Sequence, residues 1–559
     1  MSELKKFIVT LYHHEDLDQF YNDMETPGGG LYYPDREVDV AARRPNSRNT
    51  HYWLTTEEAE LIKMDPRVMD VVPEELITLT RRPAYTQTSS NWNKQFVNTN
   101  THVNWGLLRC FEGQQRANWG ENGTLTQTGT ITINAEGRNV DVIVVDGHVN
   151  PDHPEYAKNS DGTGGSRVNQ YNWYQHTNAI TGSSNGTYVY TPYVDPSYPD
   201  YDLDGESDRT GDNNHGAHVA GTVAGNTQGW ARSANIYNIS PYSTNQNADA
   251  VTYLYDYIKE FHNNKAINPA TGRKNPTIMN CSYGSSIQWN QGVFGVITRA
   301  VYRGVDTGVV AGGLSTAQLN ANGIYDRLNN KSPVVPYYSS ADQVDIEDLI
   351  NAGVIIVAAA GNDFFYTSNV TDQDWNNYFY ATYNGVNYIW YYHRGSAPAA
   401  ISNVISVGAV GNTVNETKAT FSNNGPGVDI FAPGRAIMSS LNDGGTTDPR
   451  NVSYRIGKYQ GTSMASPQVC GLLTCVLETY PSMTQVKARE YITATAKTGQ
   501  MTDTGGSYTD QTSLNGAPNR YLSYKQERPT SGDVYPKKDY FIRPSTGSVY
   551  PRTRIRRTL

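Results

Sequence analysis

Short, strongly apolar runs recur through this chain of 559 residues, and most are followed by polar residues and a helical pattern. Such runs are typical of parallel strands, which are buried on both faces and therefore show no apolar–polar alternation. Strands that alternate with helices predict an α/β domain that is doubly wound, with a mostly parallel sheet and helices on both faces. The runs are "VDVIVVDGH", "NPTIMNCSYG", "VIIVAAAGN", "AISNVISVGAV" and "VDIFAPG".

Pattern and composition divide the chain into four parts. Residues 1–80 predict a small α+β unit, in which "KKFIVTLY" is the first strand and "VMDVV" the last. Residues 81–104 are polar and rich in Pro, Ser, Thr and Asn, which predicts a linker. We expect the α/β domain over residues 105–524 and a separate tail over residues 525–559.

One serine motif raises the question of catalysis. Ser463 lies in "YQGTSMASPQVCG", where it could be an ordinary helix N-cap. A nucleophilic serine needs a base, an orienting acid and an oxyanion donor. Asp146 ends the run "VIVVDGH", Asn362 ends "VAAAGN", and His215 and His218 open the small-residue helix pattern "HGAHVAGTVAG". Each has an ordinary alternative as a cap, a turn or a surface residue, but together they favour nucleophilic catalysis at the strand ends.

These motifs, in this order, resemble those of the subtilisin-like serine proteases, with the closest similarity to the proteinase K group. The resemblance spans most of residues 104–500, and "GTSMASP" is its most specific motif. It implies that Asp146 orients the imidazole, that His215 is the general base and acid, and that Ser463 attacks the carbonyl. The Asn362 side chain and the Ser463 backbone N–H would then bind the oxyanion. The resemblance assigns the second histidine of the motif to packing.

The chain departs from the family pattern in three ways. Gly147 and His148 follow the aspartate, where the family usually has a hydroxyl residue and then glycine. Ala217 replaces the threonine of the histidine motif, which we expect to remove one hydrogen bond. The 69 residues from the aspartate to the histidine exceed the family's usual gap. We expect insertions near 158–212, 311–345 and 363–398.

The resemblance also suggests where a substrate binds. The strand end "CSYG" would pair with the substrate backbone through Ser282, Tyr283 and Gly284. The small residues Ala360 and Gly361, with the alanine before them, would line a roomy apolar pocket. Such a pocket predicts cleavage after bulky apolar or aromatic side chains.

Residues 1–80 resemble the N-terminal inhibitory prodomain that many of these proteases carry. This prodomain would be a partner of the catalytic domain, and the stretch "AYTQTSSNWNK" would be the place of self-cleavage. An unrelated adaptor domain is the alternative. The substrates implied by the family are proteins or peptides.

Two functions other than proteolysis are alternatives for a chain with these motifs. An α/β-hydrolase esterase would carry G-x-S-x-G and the order Ser, Asp, His, and this chain has neither. A catalytically impaired structural or assembly protein that retains the fold is the remaining alternative, since the surroundings of the aspartate are altered.

A structural calcium ion is a further expectation, although the chemistry itself requires no cofactor. The stretch "DYDLDGESD" offers Asp200, Asp202, Asp204 and Asp208, with the glycine of a calcium loop at the sixth place. The twelfth place is Gly211 instead of glutamate, so the loop is not an EF-hand. A solvated acidic loop is the alternative.

The tail differs in charge from the rest of the chain. The net charge is −9, but residues 525–559 hold nine Lys or Arg against three Asp or Glu. The tail therefore carries +6 and the remainder −15. Its repeats "RPTSGDVYP" and "RPSTGSVYP" predict arms that dock onto an acidic partner or a larger assembly, and resemble tails of tailed-bacteriophage virion proteins. Nucleic-acid binding is the competing interpretation, disfavoured by the Tyr and Pro content.

The sequence also bears on location and redox state. No apolar run approaches the ~20 residues that span a membrane. The start "MSELKKFIVTLYHH" lacks the features of a signal peptide, which favours a cytoplasmic or virion-associated protein. Four cysteines are too few for a disulfide framework, so we expect them to be reduced and buried.

Overall fold

The structure is a computed structural model of the whole chain, and it divides into two compact units, Met1–Pro83 and Ala84–Leu559. The residues described are 4–26, 38–42, 49–73, 85–88, 104–112, 130–133, 135–176, 180, 214–239, 254–284, 286–289, 294–324, 334–336, 338, 340–383, 386–506 and 510–524.

The first unit is a four-stranded antiparallel sheet with two helices. Its elements are β1 (Lys5–Leu11), α1 (Leu17–Glu25), β2 (Asp39–Ala42), β3 (Asn49–Leu54), α2 (Thr56–Ile62) and β4 (Val68–Pro73). The strand order is β2-β3-β1-β4. Phe7, Val9 and Leu11 alternate with less buried residues along β1, so one face of the sheet carries the core. Thr55 caps α2 and forms a capping box with Glu58.

The second unit is built around an eight-stranded sheet. Its strands are β5 (Tyr85–Thr88), β6 (Thr130–Ile133), β7 (Asp141–Val145), β8 (Asn235–Ile239), β9 (Thr277–Cys281), β10 (Ser286–Gln288), β11 (Phe294–Tyr302), β12 (Val305–Asp306), β13 (Val334–Pro336), β14 (Ile355–Ala359), β15 (Tyr378–Tyr383), β16 (Val386–Tyr391), β17 (Ile405–Val410), β18 (Ile430–Pro433), β19 (Ile437–Leu441), β20 (Thr446–Asp448), β21 (Asn451–Tyr459), β22 (Lys497–Thr498) and β23 (Arg520–Tyr521). The order of the eight strands is β22-β23-β18-β17-β14-β9-β7-β8, and every pair is parallel except β22–β23.

Helices cover both faces of this sheet. The helices that cover it are α3 (Trp105–Glu112), α4 (His215–Ala224), α5 (Leu254–Asn264), α7 (Ser340–Asn351), α8 (Thr462–Thr479) and α9 (Gln485–Thr495), with short 3₁₀ turns at Pro154–Tyr156 and Trp173–His176. The short helix α6 (Thr316–Ala321) packs instead in a separate core, through Leu319.

Successive residues of each central strand face opposite layers, which explains why the runs are apolar throughout. Val142 and Val144 of β7 pack in the core that contains residues of α4 and α8. Ile143 and Val145 of the same strand pack in the core that contains residues of α5 and α7. The predicted α/β fold, with a mostly parallel sheet between two helical layers, is confirmed.

A second sheet was not predicted. Strands β11, β12, β15 and β16 form a four-stranded antiparallel sheet with its own core around Trp289, Ile297 and Phe379. It begins at Phe294, upstream of both stretches near 311–345 and 363–398 where the sequence suggested insertions.

The boundary near residue 105 needs a correction. Strand β5 lies inside the predicted linker 81–104 and pairs antiparallel with β6 of the second unit. Residues from 85 onward therefore contribute to the second unit, because a strand pair joins them to it. The predicted calcium loop, the insertion around it beyond residue 180, and the tail 525–559 lie outside the described residues.

The described residues include no helix long and apolar enough to cross a membrane. The four cysteines, Cys110, Cys281, Cys470 and Cys475, are free and buried, as expected. Burial raises the pKa of the Cys281 thiol to about 12, which keeps it protonated and unreactive at neutral pH.

Candidate active site

Asp146 and His215 are positioned by the ends of regular elements. Asp146 directly follows β7, and His215 is the first residue of α4. The His215 Nδ1 and Asp146 Oδ1 atoms lie 2.7 Å apart, with the aspartate side chain 1% exposed and the imidazole 28% exposed. A buried carboxylate beside Nδ1 keeps a proton on that nitrogen and makes Nε2 the basic nitrogen of the ring.

Backbone groups hold the Asp146 carboxylate. Its Oδ1 atom also accepts the Gly147 N–H at 2.8 Å. Its Oδ2 atom is buried and accepts no hydrogen bond from the residues that the structure describes. The sequence accounts for this, because Gly147 follows the aspartate at the position where the family usually has a hydroxyl residue.

Close backbone packing brings the segments of Asp146 and His215 together. A Cβ atom on Gly216 would lie only 1.9 Å from the Gly147 carbonyl oxygen. Only glycine therefore fits at the second position of α4, and its absence of a side chain lets the helix start against the end of β7.

His218 has a packing role, as the motif implied. The residue is 0% exposed, and its ring stacks on Tyr459 with centroids 4.9 Å apart. Its Nε2 atom lies 2.7 Å from the Ile437 carbonyl oxygen, which identifies Nε2 as the protonated nitrogen. Burial lowers the pKa of His218 to about 3. A neutral, buried imidazole of this kind is not the base of the site.

Ser463 lies in the first turn of α8, and a proline explains how it is anchored. Pro467 has no N–H to donate to the carbonyl four residues earlier, which is that of Ser463. The Ser282 hydroxyl donates to this carbonyl instead, at 2.9 Å. In return, the Ser463 hydroxyl donates to the Ser282 carbonyl at 3.1 Å. The two serines therefore lock the start of α8 to the end of β9.

Two further polar side chains, Asn280 of β9 and Ser466 of α8, join this hydrogen-bond network. They were not predicted from the sequence. Asn280 donates to the Ser282 hydroxyl at 2.9 Å, and the Ser466 hydroxyl donates to Asn280 Oδ1 at 2.8 Å. The signal that could have revealed them is an asparagine inside the apolar run "TIMNC", because a buried amide needs partners.

Asn362 presents its amide nitrogen to the cleft. Its Oδ1 atom accepts the Thr462 N–H at 2.8 Å and the Thr462 hydroxyl at 2.9 Å. A backbone N–H can only donate, so the orientation of the amide is fixed, with Nδ2 at the other end. Gly361 has φ +106°, and a Cβ atom added to it would lie only 2.4 Å from Asn423 Nδ2. This turn therefore requires glycine.

A cleft of about 270 Å³ opens beside Ser463. It contains the predicted substrate-binding residues Ser282, Tyr283, Gly284 and Gly361. The complete lining is Ser282, Tyr283, Gly284, Ser286, Pro336, Ala359, Gly361, Asn362, Asp363, Ser396, Asn423, Thr462 and Ser463.

Two expectations about the cleft need correction. Ala360 does not line it; this residue packs into the core, and its N–H donates to the Val407 carbonyl at 2.9 Å. Neighbours in an extended segment point to opposite sides, so Ala359 and Gly361 face the cleft instead. The lining is also mainly hydroxyl, amide and carboxylate groups, so a roomy apolar pocket was the wrong description. Ser286, Pro336 and Ser396 come from segments that sequence motifs do not mark.

The described part of the chain contains no cluster of three or more His, Cys, Asp or Glu side chains that could hold a metal ion. The predicted ligands Asp200, Asp202, Asp204 and Asp208 lie outside it.

Comparison with known proteins points to one family. The family model described as Peptidase S8, the subtilase family, matches residues 137–519, well over half of the chain. A solved structure described as a cold-adapted subtilisin-like serine proteinase aligns with 76% of this chain and 98% of its own, at 20% identity and a TM-score of 0.40.

Individual relatives match this chain at 24–38% identity. Alkaline serine exoprotease A of Vibrio alginolyticus is 24% identical over 455 residues, which is 81% of this chain and 56% of that protein. Subtilisin of Bacillus pumilus is 32% identical over 181 residues, 31% of this chain and 53% of that protein. An extracellular protease of Xanthomonas campestris is 38% identical over 144 residues, 26% of this chain and 20% of that protein. The chain thus spans between a fifth and just over half of these relatives.

Proposed function

Because this chain belongs to the subtilase family, we propose that it is a serine endopeptidase that acts through Asp146, His215 and Ser463. The observation that carries the proposal is the pairing of His215 with a buried Asp146 at 2.7 Å. It is supported by the packing of α4, which begins at His215, against α8, which contains Ser463. Proteins or peptides are the substrates that this chemistry takes.

In the first step, the Ser463 hydroxyl leaves the Ser282 carbonyl, transfers its proton to His215 Nε2 and attacks the substrate carbonyl carbon. Asp146 stabilises the imidazolium that forms. The carbonyl oxygen becomes an oxyanion, which receives hydrogen bonds from Asn362 Nδ2 and the Ser463 backbone N–H. The start of a helix favours negative charge at this point.

In the second step, the imidazolium gives its proton to the leaving amine, the peptide C–N bond breaks, and an acyl-enzyme remains. A water molecule then loses a proton to His215 and attacks the ester, and the proton returns to Ser463 as the acid product leaves. No metal or organic cofactor takes part in these steps.

The test replaces the nucleophile. Ser463→Ala should abolish casein hydrolysis and labelling by an organophosphorus fluoride, while Ser453→Ala, at an exposed serine of β21, should retain both. Equal hydrolysis by wild type and Ser463→Ala would overturn the proposal. A folded wild-type protein that neither cleaves nor labels would favour the alternative of an impaired structural protein.

We also keep three finer proposals that rest on the sequence. The first unit acts as an inhibitory prodomain, the basic tail docks to an acidic partner or larger assembly, and the 200–208 carboxylates hold a structural calcium ion. If EDTA leaves the melting temperature unchanged, the calcium site is overturned.

A further inference from the structure

The loop that follows β19 contacts both of the segments that carry the catalytic acid and base. Asn442 and Asp443 are its first two residues. One reaches the segment after Asp146, and the other reaches the residue before His215. None of the motifs that identified the site includes this loop.

The contact beside the proposed base consists of two hydrogen bonds between Asn214 and Asp443. Asn214, 7% exposed, directly precedes His215 and makes no capping bond of its own. Its Nδ2 donates to Asp443 Oδ1 at 2.5 Å, and its Oδ1 accepts the Asp443 backbone N–H at 2.8 Å. Both ends of the amide are therefore fixed by one residue, which sets the position of the first turn of α4.

The contact with the acid comes from the neighbouring residue. Asn442 Nδ2 donates to the His148 carbonyl at 3.1 Å, two residues after Asp146. On the other side, Asn238 Nδ2 lies 3.1–3.3 Å from the carbonyl oxygens of Val144, Asp146 and Gly147. The segment after β7 is thus held between β8 and the loop.

From these contacts we propose that Asn214 and Asp443, with Asn442, are positioning residues that hold the His215 imidazole in register with Asp146 and Ser463. The inference rests on the proposed protease function. Such support matters here because the Asp146 carboxylate accepts bonds only through Oδ1 within the described residues. In this chain no hydroxyl residue follows Asp146 to help hold its carboxylate. The loop after β19 instead holds both the Asp146 segment and the His215 segment in position.

Exchanging the amide of Asn214 and the carboxylate of Asp443 between the two positions tests the inference. Asp443→Asn keeps both hydrogen bonds, because an asparagine Oδ1 still accepts from Asn214. Asn214→Asp keeps the acceptor for the Asp443 backbone N–H but loses the Nδ2 donor, so the two side-chain carboxylates repel each other instead of sharing a hydrogen bond. The double variant Asn214→Asp/Asp443→Asn reverses the donor and acceptor and restores both bonds.

The readout is steady-state kinetics on a peptide substrate, measured on the alkaline plateau of the pH profile so that His215 is deprotonated in every variant. We expect Asn214→Asp to lower kcat by about 10- to 100-fold, since small misplacements of catalytic groups cost this much. KM should stay within about twofold, because neither residue lines the cleft. Asp443→Asn and the double variant should stay within about threefold of wild type in kcat.

The labelling rate with an organophosphorus fluoride should follow the same order, since it reports activation of Ser463 without a peptide substrate. Normal kcat in Asn214→Asp, or a double variant no better than Asn214→Asp, overturns the inference. If Asn214→Asp does not fold, Asn214→Ala replaces it, and normal kcat in that variant has the same meaning. A wild-type protein that neither cleaves nor labels overturns the proposed function instead.

Discussion

At the scale of single residues, Asn362 offers a direct test of the proposed oxyanion site. Its side chain is exposed, but Asn362→Leu also removes the oxygen that accepts from Thr462 at the start of α8, so we expect it to cost about 1 kcal/mol of stability. It removes a donor that acts mainly in the transition state, and such interactions appear in kcat. We expect kcat to fall by about 10²–10³, which is about 2.7–4 kcal/mol, with KM nearly unchanged. Steady-state kinetics on a chromogenic peptide measures both.

A matched variant separates the donor from the shape of the residue. Asn362→Asp keeps the oxygen that accepts from Thr462 but replaces Nδ2 with a second, charged oxygen. Its loss in kcat should equal or exceed that of the leucine variant. A kcat within threefold of wild type in either folded variant would remove Asn362 from the site.

His218 should make the protein less stable in acid. Its pKa is about 3 in the folded state, lowered by burial, and ~6.5 in the unfolded chain. Between these values the unfolded chain binds a proton that the folded state does not, so stability falls as pH falls from 6.5. From pH 7 to pH 5 this residue alone should cost about 2 kcal/mol.

His218→Gln isolates this contribution, because glutamine keeps a donor but does not titrate. Urea unfolding of both proteins in the Ser463→Ala background avoids autolysis. The stability advantage of the His218 protein should shrink by about 2 kcal/mol between pH 7 and pH 5. An advantage that does not change with pH would show that His218 is accessible to protons in the folded state.

At the scale of elements, burial decides what the sequence reveals. The central strands were predictable because double burial leaves apolar runs, as in β7 and β14. Strand β11 was not predictable, because its register with β15 shifts twice between Phe294 and Arg299. These shifts disrupt the alternation of buried and exposed residues that marks a strand in a sequence. The motif "GTSMASP" does show the proline that leaves the Ser463 carbonyl without its helical partner. The sequence does not show that Ser282 donates to that carbonyl, because this contact joins residues 181 positions apart.

The attachment of α3 provides a test at this scale. Arg109 on α3 is fully buried and pairs with Glu416 through Nε and through Nη2, the latter at 2.7 Å. Its guanidinium also lies 4.1 Å from the centre of the Tyr521 ring. Glu416→Gln leaves a buried charge without its counter-ion, which should lower the free energy of unfolding by about 3–5 kcal/mol. Urea unfolding in the Ser463→Ala background measures this loss.

A second variant checks the cause of that loss. Arg109→Met combined with Glu416→Gln removes the charge that was left unpaired and replaces it with an unbranched apolar side chain. We expect the double variant to recover at least half of the loss, since apolar replacements of buried pairs are often well tolerated. A double variant less stable than Glu416→Gln alone would contradict this account of the pair.

At the scale of the whole molecule, the two units suggest where the chain is processed. The first unit has its own apolar core of β1, β3, β4, α1 and α2 residues. Asn104 is fully buried in the second unit, where its backbone N–H donates to Gln228 Oε1 at 2.8 Å. The adjacent Trp105 Nε1 donates to the Arg435 carbonyl at 2.9 Å. A cut that preserves these two contacts must therefore fall before Asn104, and a cut after Thr88 would also separate β5 from β6.

We expect the wild-type protein to cleave itself between Arg81 and Asn104 and to yield a second unit that retains activity. The Ser463→Ala protein should stay full length, because the cut depends on the same nucleophile. N-terminal sequencing and intact mass of both proteins locate the cut. Mixing tagged Ser463→Ala protein with active wild type then distinguishes cleavage between molecules from cleavage within one chain. Full activity with an intact N-terminus would show that residues 1–80 are a permanent domain, and a cut in purified Ser463→Ala would point to another protease.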